Sequence, residues 1–242
     1  AAILDRHRIL DSDTYDRLNR ERLAPDLPTL PGDVKSALAL WAGVDADGLT
    51  PWLSAVDEAA IAGRILNLKF NASDTWFRSF NRSVRGPDWS EVRALAAQDR
   101  PAILATTHLG VLRGTLGQFL LNDLPVKIIG GFKKGNLNRI HADFFVRLGD
   151  RKRGIAVARA IATRIARGEM TALTADVAPG RTATRSVVDN GFRFDLPVTI
   201  PKLALKYRVP VFWVCTFYRD GVPVCELARM PAPAPDEAAD AF

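Results

Sequence analysis

Four short apolar runs, spaced by helix-length stretches, most constrain what this chain can fold into. Ile103-Leu104-Ala105, Val126 to Ile129, Met170 to Ala175 and Val209 to Phe217 are too short for buried helices and suit buried strands. Helical periodicity fills the intervals. A Gly-punctuated helix is expected from about Gly110 to Leu121, and another from Asn138 to Leu148. A third runs from Gly154 to Arg167, with Ile155, Ala158, Ala162 and Ile165 inward and Arg159, Arg164 and Arg167 outward. Gly168 follows as its stop. The stretch Pro197 to Tyr207 carries Pro near the start of a fourth. Val222 to Leu227 pairs with the last run as a hairpin around Arg219-Asp220-Gly221. Strands alternating with helices predict an α/β fold: a mixed, largely parallel central sheet flanked by helices.

The chain before Pro101 reads differently. Arg6, Arg8, Asp11, Asp13, Asp16, Arg17, Arg20, Glu21 and Arg22 alternate in sign, as on a solvated helix or arm, and Pro25, Pro28 and Pro31 then punctuate a linker-like stretch. Asp33 is a candidate cap for a helix carrying Val34, Leu38 and Trp41. Gly43 to Pro51 breaks it, a second helical stretch carries Leu53 to Leu68, and a third runs from about Asp88 to Ala97. The expected organisation is an N-terminal helical region over 1–98 and an α/β core over 99–242.

Composition narrows the class. With 48% apolar and 25% charged residues, the 242-residue chain has the balance of a globular protein, not of a disordered one. A net charge of +6 favours anionic partners such as nucleic acid, anionic lipid, a phosphorylated substrate or an acidic carrier protein. No aromatic-rich basic stripe or reader motif supports nucleic acid. Cys215 and Cys225 have no His or Cys beside them, so they are expected to be reduced core thiols, not metal ligands. No run is long enough to span a bilayer and no secretory signal is read, so any membrane contact is expected to be peripheral.

Ligands of an open α/β sheet gather beyond the carboxyl ends of its strands. Three such ends matter: Thr106-Thr107-His108-Leu109-Gly110, Gly130-Gly131-Phe132-Lys133-Lys134-Gly135, and Ala175-Asp176-Val177-Ala178-Pro179-Gly180-Arg181. Of the three histidines, His7 lies in the charged arm and His141 in an expected helix, while His108 falls at a strand end before a small residue. An imidazole there can accept a hydroxyl proton and return it to a leaving thiol. On position alone, a His that caps the next helix or satisfies a core group is an equal reading. Asp176 is likewise either a site carboxylate or an N-cap or loop ion-pair residue.

The stretch Pro101 to Gly110 resembles the first motif block of the lysophospholipid acyltransferase superfamily, and most of all that of the bacterial lipid A late acyltransferases. Three further segments resemble later blocks in the same order. Gly131-Phe132-Lys133-Lys134 with Asn138-Arg139 and Arg147 resembles the second. Gly168 to Gly180, through Asp176, resembles the third, and Pro197 to Val211 the fourth. The resemblance covers Arg100 to Arg229 and implies a glycerol-3-phosphate acyltransferase-like core. It further implies transfer of an acyl group from an acyl-carrier-protein or CoA thioester to a hydroxyl or amine of a lipid or small-molecule acceptor. His108 would be the general base, and the thioester a co-substrate with no resident cofactor or metal. The implied location is cytoplasmic, with the cytoplasmic face of the inner membrane as one setting. Lys133, Lys134, Arg139 and Arg181, with Arg151, Lys152 and Arg153, would face substrate phosphate or the carrier; ordinary solvated surface is the other reading, and an equal one for Arg151, Lys152 and Arg153. The helix from Gly110 to Leu121 would either line an acyl groove or serve as plain core.

The family's His-x4-Asp/Glu pattern is broken here, because Arg113 occupies the acidic position. A nearby like charge disfavours a protonated imidazole. Three routes stay open. Asp176 can take over the orienting role from the neighbouring strand end. His108 can act alone. Or the site binds an acyl group or carrier without turnover, with Arg113 as a substrate contact. No G-x-S-x-G elbow supports an acyl-enzyme route.

Overall fold

The computed structural model describes residues 31–56, 63, 66, 70, 74–107, 110–130, 145–147, 153–176, 184–189 and 192–232. The chain divides into two units, Ala1–Lys69 with Ser186–Phe194, and Phe70–Arg185 with Asp195–Phe242.

In the first unit, helix α1 spans Gly32–Ala42. Its N-cap is Pro31, not the expected Asp33, and no side chain caps it. The helix starts early enough to place Asp33 in its first turn, where a carboxylate complements the helix dipole. Gly43 ends α1 in the left-handed conformation, φ 67°. None of the residues of α1 is buried, and Trp41 meets Trp52 of the next helical stretch edge-on, with centroids 5.9 Å apart.

The second unit opens with two helices, α2 (Asp74–Ser83) and α3 (Ser90–Ala97). The remaining elements are β1 (Ile103–Thr106), α4 (Leu112–Leu121), β2 (Val126–Gly130), β3 (Phe145–Arg147), α5 (Arg153–Ile165), β4 (Met170–Thr174), α6 (Thr199–Tyr207), β7 (Val211–Arg219) and β8 (Val222–Arg229). Strands β5 (Thr184–Asp189) and β6 (Phe192–Pro197) pair only with each other. The main sheet has the order β3-β2-β4-β1-β7-β8. All its pairings are parallel except β7 with β8. The α/β class with a mixed, largely parallel sheet is therefore observed.

Every residue of β1 is buried, as a strand covered on both faces requires. Alternation along β1 sends Ile103 and Ala105 to one face, where they join Ile129, Leu173, Ile161 and Ile165 of α5, and Ile200, Leu203 and Ala204 of α6. Leu104 and Thr106 take the other face, on which α4 packs against β7 and β8. Gly114 lets α4 approach closely, since an added Cβ would lie 2.9 Å from Thr216 Cγ2. Gly117 does the same against the buried Asn81 of α2. Asn81 Nδ2 donates to the Phe77 carbonyl at 2.9 Å, and Gln118 Nε2 donates to the Asn81 carbonyl at 2.8 Å.

One expectation fails within the core. Phe145–Arg147, read as part of a helix over Asn138 to Leu148, is strand β3, pairing Ile128↔Phe145 and Ile129↔Val146. The open edge of β2 offers a ladder to an aromatic and a β-branched residue, and pairing overrides a weak helical pattern. The rest of that expected helix lies outside the described residues.

The β7–β8 hairpin turns through Asp220 (φ 51°) and Gly221 (φ 71°). Two positive φ values in succession are the mark of a turn that matches strand twist, and Asp-Gly suits it. Both cysteines are free and buried. Cys225 pairs with Thr216 and so shares its face, whereas Cys215, one residue along β7, points to the other. Among the described residues no helix is long and apolar enough to cross a membrane.

Candidate functional site

Strand order alone selects one edge of the sheet. From β1 the chain passes β4 to reach β2 by way of α4, and from β4 it passes β1 to reach β7 by way of α6. The direction of travel reverses around β1, so the crevice at its carboxyl end is the topological switch point where ligands of such sheets bind.

The geometry of that edge follows from where β1 stops. Thr106 still pairs with Thr174 of β4, and the Ala175 N–H donates to the Thr106 carbonyl at 2.7 Å. On the other side β7 runs on past β1, which leaves the backbone of Thr216 facing an empty ladder position. Helix α4 takes up both groups. The Thr216 N–H donates to Thr115 Oγ1 at 2.9 Å, and the Val111 N–H donates to the Thr216 carbonyl at 2.7 Å. The Thr115 hydroxyl also donates to Thr216 Oγ1 at 3.1 Å. A buried strand amide is thereby satisfied by a helix side chain in place of a strand.

The turn that makes this docking requires glycine. Gly110 has φ +70°, and an added Cβ would collide with the Thr216 carbonyl oxygen. The small residue after the candidate His108 is thus a packing requirement of the β1–α4 connection, whatever chemistry the connection carries.

Of the expected site residues, the structure describes Asp176 and Arg113. Asp176 is exposed, two residues past Thr174 at the carboxyl end of β4. Arg113 lies in the first turn of α4, half-buried, and burial lowers its pKa from the ordinary guanidinium value. That turn contains no acidic residue. A cation there is disfavoured by the helix dipole, which would favour an Asp or Glu, and by desolvation, which would penalise either charge. His108, Lys133, Lys134, Arg139 and Arg181, with Arg151 and Lys152, lie outside the described residues; Arg153 opens α5.

Two further groups mark the edge. The Thr106 hydroxyl, on a residue 2% exposed at the last position of β1, finds no partner among the described residues. The buried Thr171 hydroxyl and Trp89 indole N–H, away from this edge, are in the same state. Burial pushes the Cys215 thiol up against the Thr107 hydroxyl, which lowers it, while the charges of Glu226 and Asp176 raise it further. Asp176 is therefore within electrostatic reach of the β7 end, and Cys215 is held as a neutral thiol, not a nucleophile. Thr106 and Thr107 are read in the sequence only as the frame of His108; Thr174, at the end of β4, joins them at this edge. Among the described residues no three His, Cys, Asp or Glu side chains gather as a metal site.

No protein-family model matches the chain, and no curated protein matches it either.

Proposed function

We propose that the protein is an acyltransferase with a glycerol-3-phosphate acyltransferase-like core, and that its site is the carboxyl edge of β1, β4 and β7. The observation that carries the reading is the pinned β1–α4 connection at the switch point, with the carboxylate of Asp176 at the end of the adjacent strand. The ordered motif resemblance supports it from the sequence side.

In this mechanism His108 removes the proton of an acceptor hydroxyl or amine as the acceptor attacks the thioester carbonyl. The tetrahedral intermediate collapses by breaking the carbon–sulfur bond, and the imidazolium returns the proton to the leaving thiolate. Asp176 supports the imidazolium in place of the acid missing at position 113. Arg113, a guanidinium in the first turn of α4, binds an anionic group of donor or acceptor. The donor is an acyl-carrier-protein or CoA thioester, the acceptor a lipid or small molecule, and the setting cytoplasmic or peripheral to a membrane.

The test is thiol release from acyl-CoA and acyl-carrier-protein thioesters with a panel of hydroxyl and amine acceptors. Wild type releases thiol, His108→Ala loses at least about 100-fold, the scale of a general base, and Asp176→Asn loses less. Full activity in His108→Ala sinks the mechanism.

Arg113 favours a second reading, in which the edge binds an acyl thioester or its carrier without turnover. Saturable binding of the thioester, weakened by Arg113→Ala and with no thiol release by wild type, supports it.

A further inference from the structure

Helices α5 and α6 cover the same face of the main sheet and pack against each other. Each turns its apolar side to the strands. Ile161 and Ile165 of α5, and Ile200, Leu203 and Ala204 of α6, are buried there. The opposite sides are exposed, with Arg159 and Thr163 on α5 and Lys202 and Lys206 on α6. Lys202 and Lys206 stand one turn apart, about 6 Å along the axis, and the axes of packed helices lie about 8–10 Å apart. Arg159, Lys202 and Lys206 therefore share one outer surface.

That surface has a single sign. Neither helix contains an Asp or Glu. Arg164, near the end of α5, pairs with Glu169 beyond the helix. Helices elsewhere in the unit mix signs: α2 has Asp74 with Arg78 and Arg82, and α3 has Glu91 with Arg93. Helix stability does not account for the pattern. A cation gains from the dipole in the last turn, where Lys206 lies, but Arg159 is mid-helix and Lys202 is in the opening half of α6. Like charges one turn apart weaken an isolated helix.

Topology sets this surface beside the proposed site. Helix α5 leads into β4 and α6 into β7, and both strands are parallel to β1. Both helices therefore begin toward the carboxyl edge and run back along the sheet. The nine residues of α6 span about 13 Å, so a body resting on its outer side lies within about that distance of the edge.

We propose that the outer surface of α5 and α6, through Arg159, Lys202 and Lys206, docks an acidic protein that carries the acyl thioester to the carboxyl edge. Exposed ion pairs hold a partner weakly but steer its approach. That suits a protein that arrives loaded and leaves empty. A lipid surface is a poorer fit, because no large apolar side chain on α6 or on the described part of α5 is exposed as an anchor. Nucleic acid is poorer too, since Tyr207, the one aromatic residue of the two helices, packs on the core. The inference rests on the acyl-transfer reading for its cargo, and docking is measured apart from turnover.

The experiment uses the full chain and a labelled acyl carrier protein without its acyl group, followed by fluorescence anisotropy. Thiol release is then measured with the same acyl group on the carrier and on CoA. Combined Arg159→Ala, Lys202→Ala and Lys206→Ala is expected to weaken carrier binding about tenfold or more, at roughly two- to fivefold per exposed pair. Binding also falls with added salt. KM for the carrier thioester rises by a similar factor with kcat unchanged, and kcat/KM for acyl-CoA changes less than about twofold. Combined Arg78→Ala, Arg82→Ala and Arg93→Ala, the same charge change at exposed sites elsewhere in the unit, alters carrier binding less than about twofold. Equal loss from the two variants overturns the proposal, as does no carrier binding by wild type. So does layer-dependent sedimentation with vesicles of phosphatidylcholine and phosphatidylserine by a protein that ignores the carrier. Layer-dependent carrier binding with no thiol release keeps the docking surface and removes the acyl-transfer reading. Thiol release from both donors, with binding and KM unmoved by the α5–α6 variant, does the reverse.

Discussion

Both faces of the main sheet bury apolar side chains, but only one adds a hydrogen-bonded seam at the strand ends. Under α5 and α6 the contacts are aliphatic: Ile103, Ala105 and Leu173 against Ile161, Ile165, Ile200 and Leu203. Under α4 the sheet buries Leu104, Phe212 and Val214 as well, and toward the strand ends it adds the hydroxyls of Thr115 and Thr216, with Gly114 letting the backbones approach. Aliphatic packing is non-directional and tolerates sliding. Hydrogen bonds from Thr115 and Val111 to one residue, Thr216, fix the position of α4 relative to β7. Apolar burial on both faces supplies stability, and the seam on the second sets the geometry of the β1–α4 connection, where the proposed chemistry lies.

Substitutions can break this contrast, the largest effect coming from the aliphatic face. Ile161, fully buried, should cost about 2–5 kcal/mol as Ile161→Ala in denaturant unfolding. The activity of the molecules that remain folded should be unchanged. If that activity falls in proportion to stability, the division between the faces is wrong. Gly110→Ala should cost about 2–3 kcal/mol, from a left-handed residue given a side chain and from the collision with the Thr216 carbonyl. It should also abolish thiol release, because the connection itself must move.

Cys225 tests the polar face by titration. Burial pushes its thiol from 9.0 up to about 11, with Thr216 opposing. The folded protein therefore holds a proton that the unfolded chain releases. That contribution is fully present below pH 9 and is lost as the pH rises toward 11, about 2–3 kcal/mol in all. Unfolding free energy measured across this range should fall more steeply in wild type than in Cys225→Ala; parallel curves would mean the thiol is more solvated than its packing indicates.

The smallest effects separate the two threonines. Thr115→Val leaves the buried Thr216 N–H without an acceptor and should cost about 1–3 kcal/mol. Thr216→Val removes the hydroxyl's contacts with Thr115 and the Cys225 thiol but leaves the docked backbone, and should cost about 0.5–1.5 kcal/mol. Reversed costs, from thermal unfolding of both variants, would show that the backbone docking of Thr216 is not what holds α4.

Much of the fold was legible in the chain itself. β1, β2, β4 and the β7–β8 hairpin announce themselves as apolar runs with Pro or Gly at their bounds, and the stop of α5 at Gly168 is marked by its residue type. Three elements were not anticipated. The pair β5–β6 is flagged only by Asn190-Gly191 between alternating residues, a hairpin signal that passes for a loop in a polar stretch. Helix α2 mixes arginines with aromatics and shows its apolar side only once Phe70 is placed against it. At the site, the sequence identifies Arg113 as a departure from an acidic position but not that burial disfavours its charge.

Local periodicity and turn chemistry are written in neighbouring residues, so the sequence by itself determined most of the strands and helices of the core, and where Asp220-Gly221 reverses the chain. Strand order, the conversion of Phe145–Arg147 into β3 and the docking of α4 on Thr216 were decided only by the tertiary structure. They depend on partners more than 100 residues apart in the chain. Such pairings are chosen by burying apolar faces and satisfying backbone amides together, a condition that no single stretch of sequence contains.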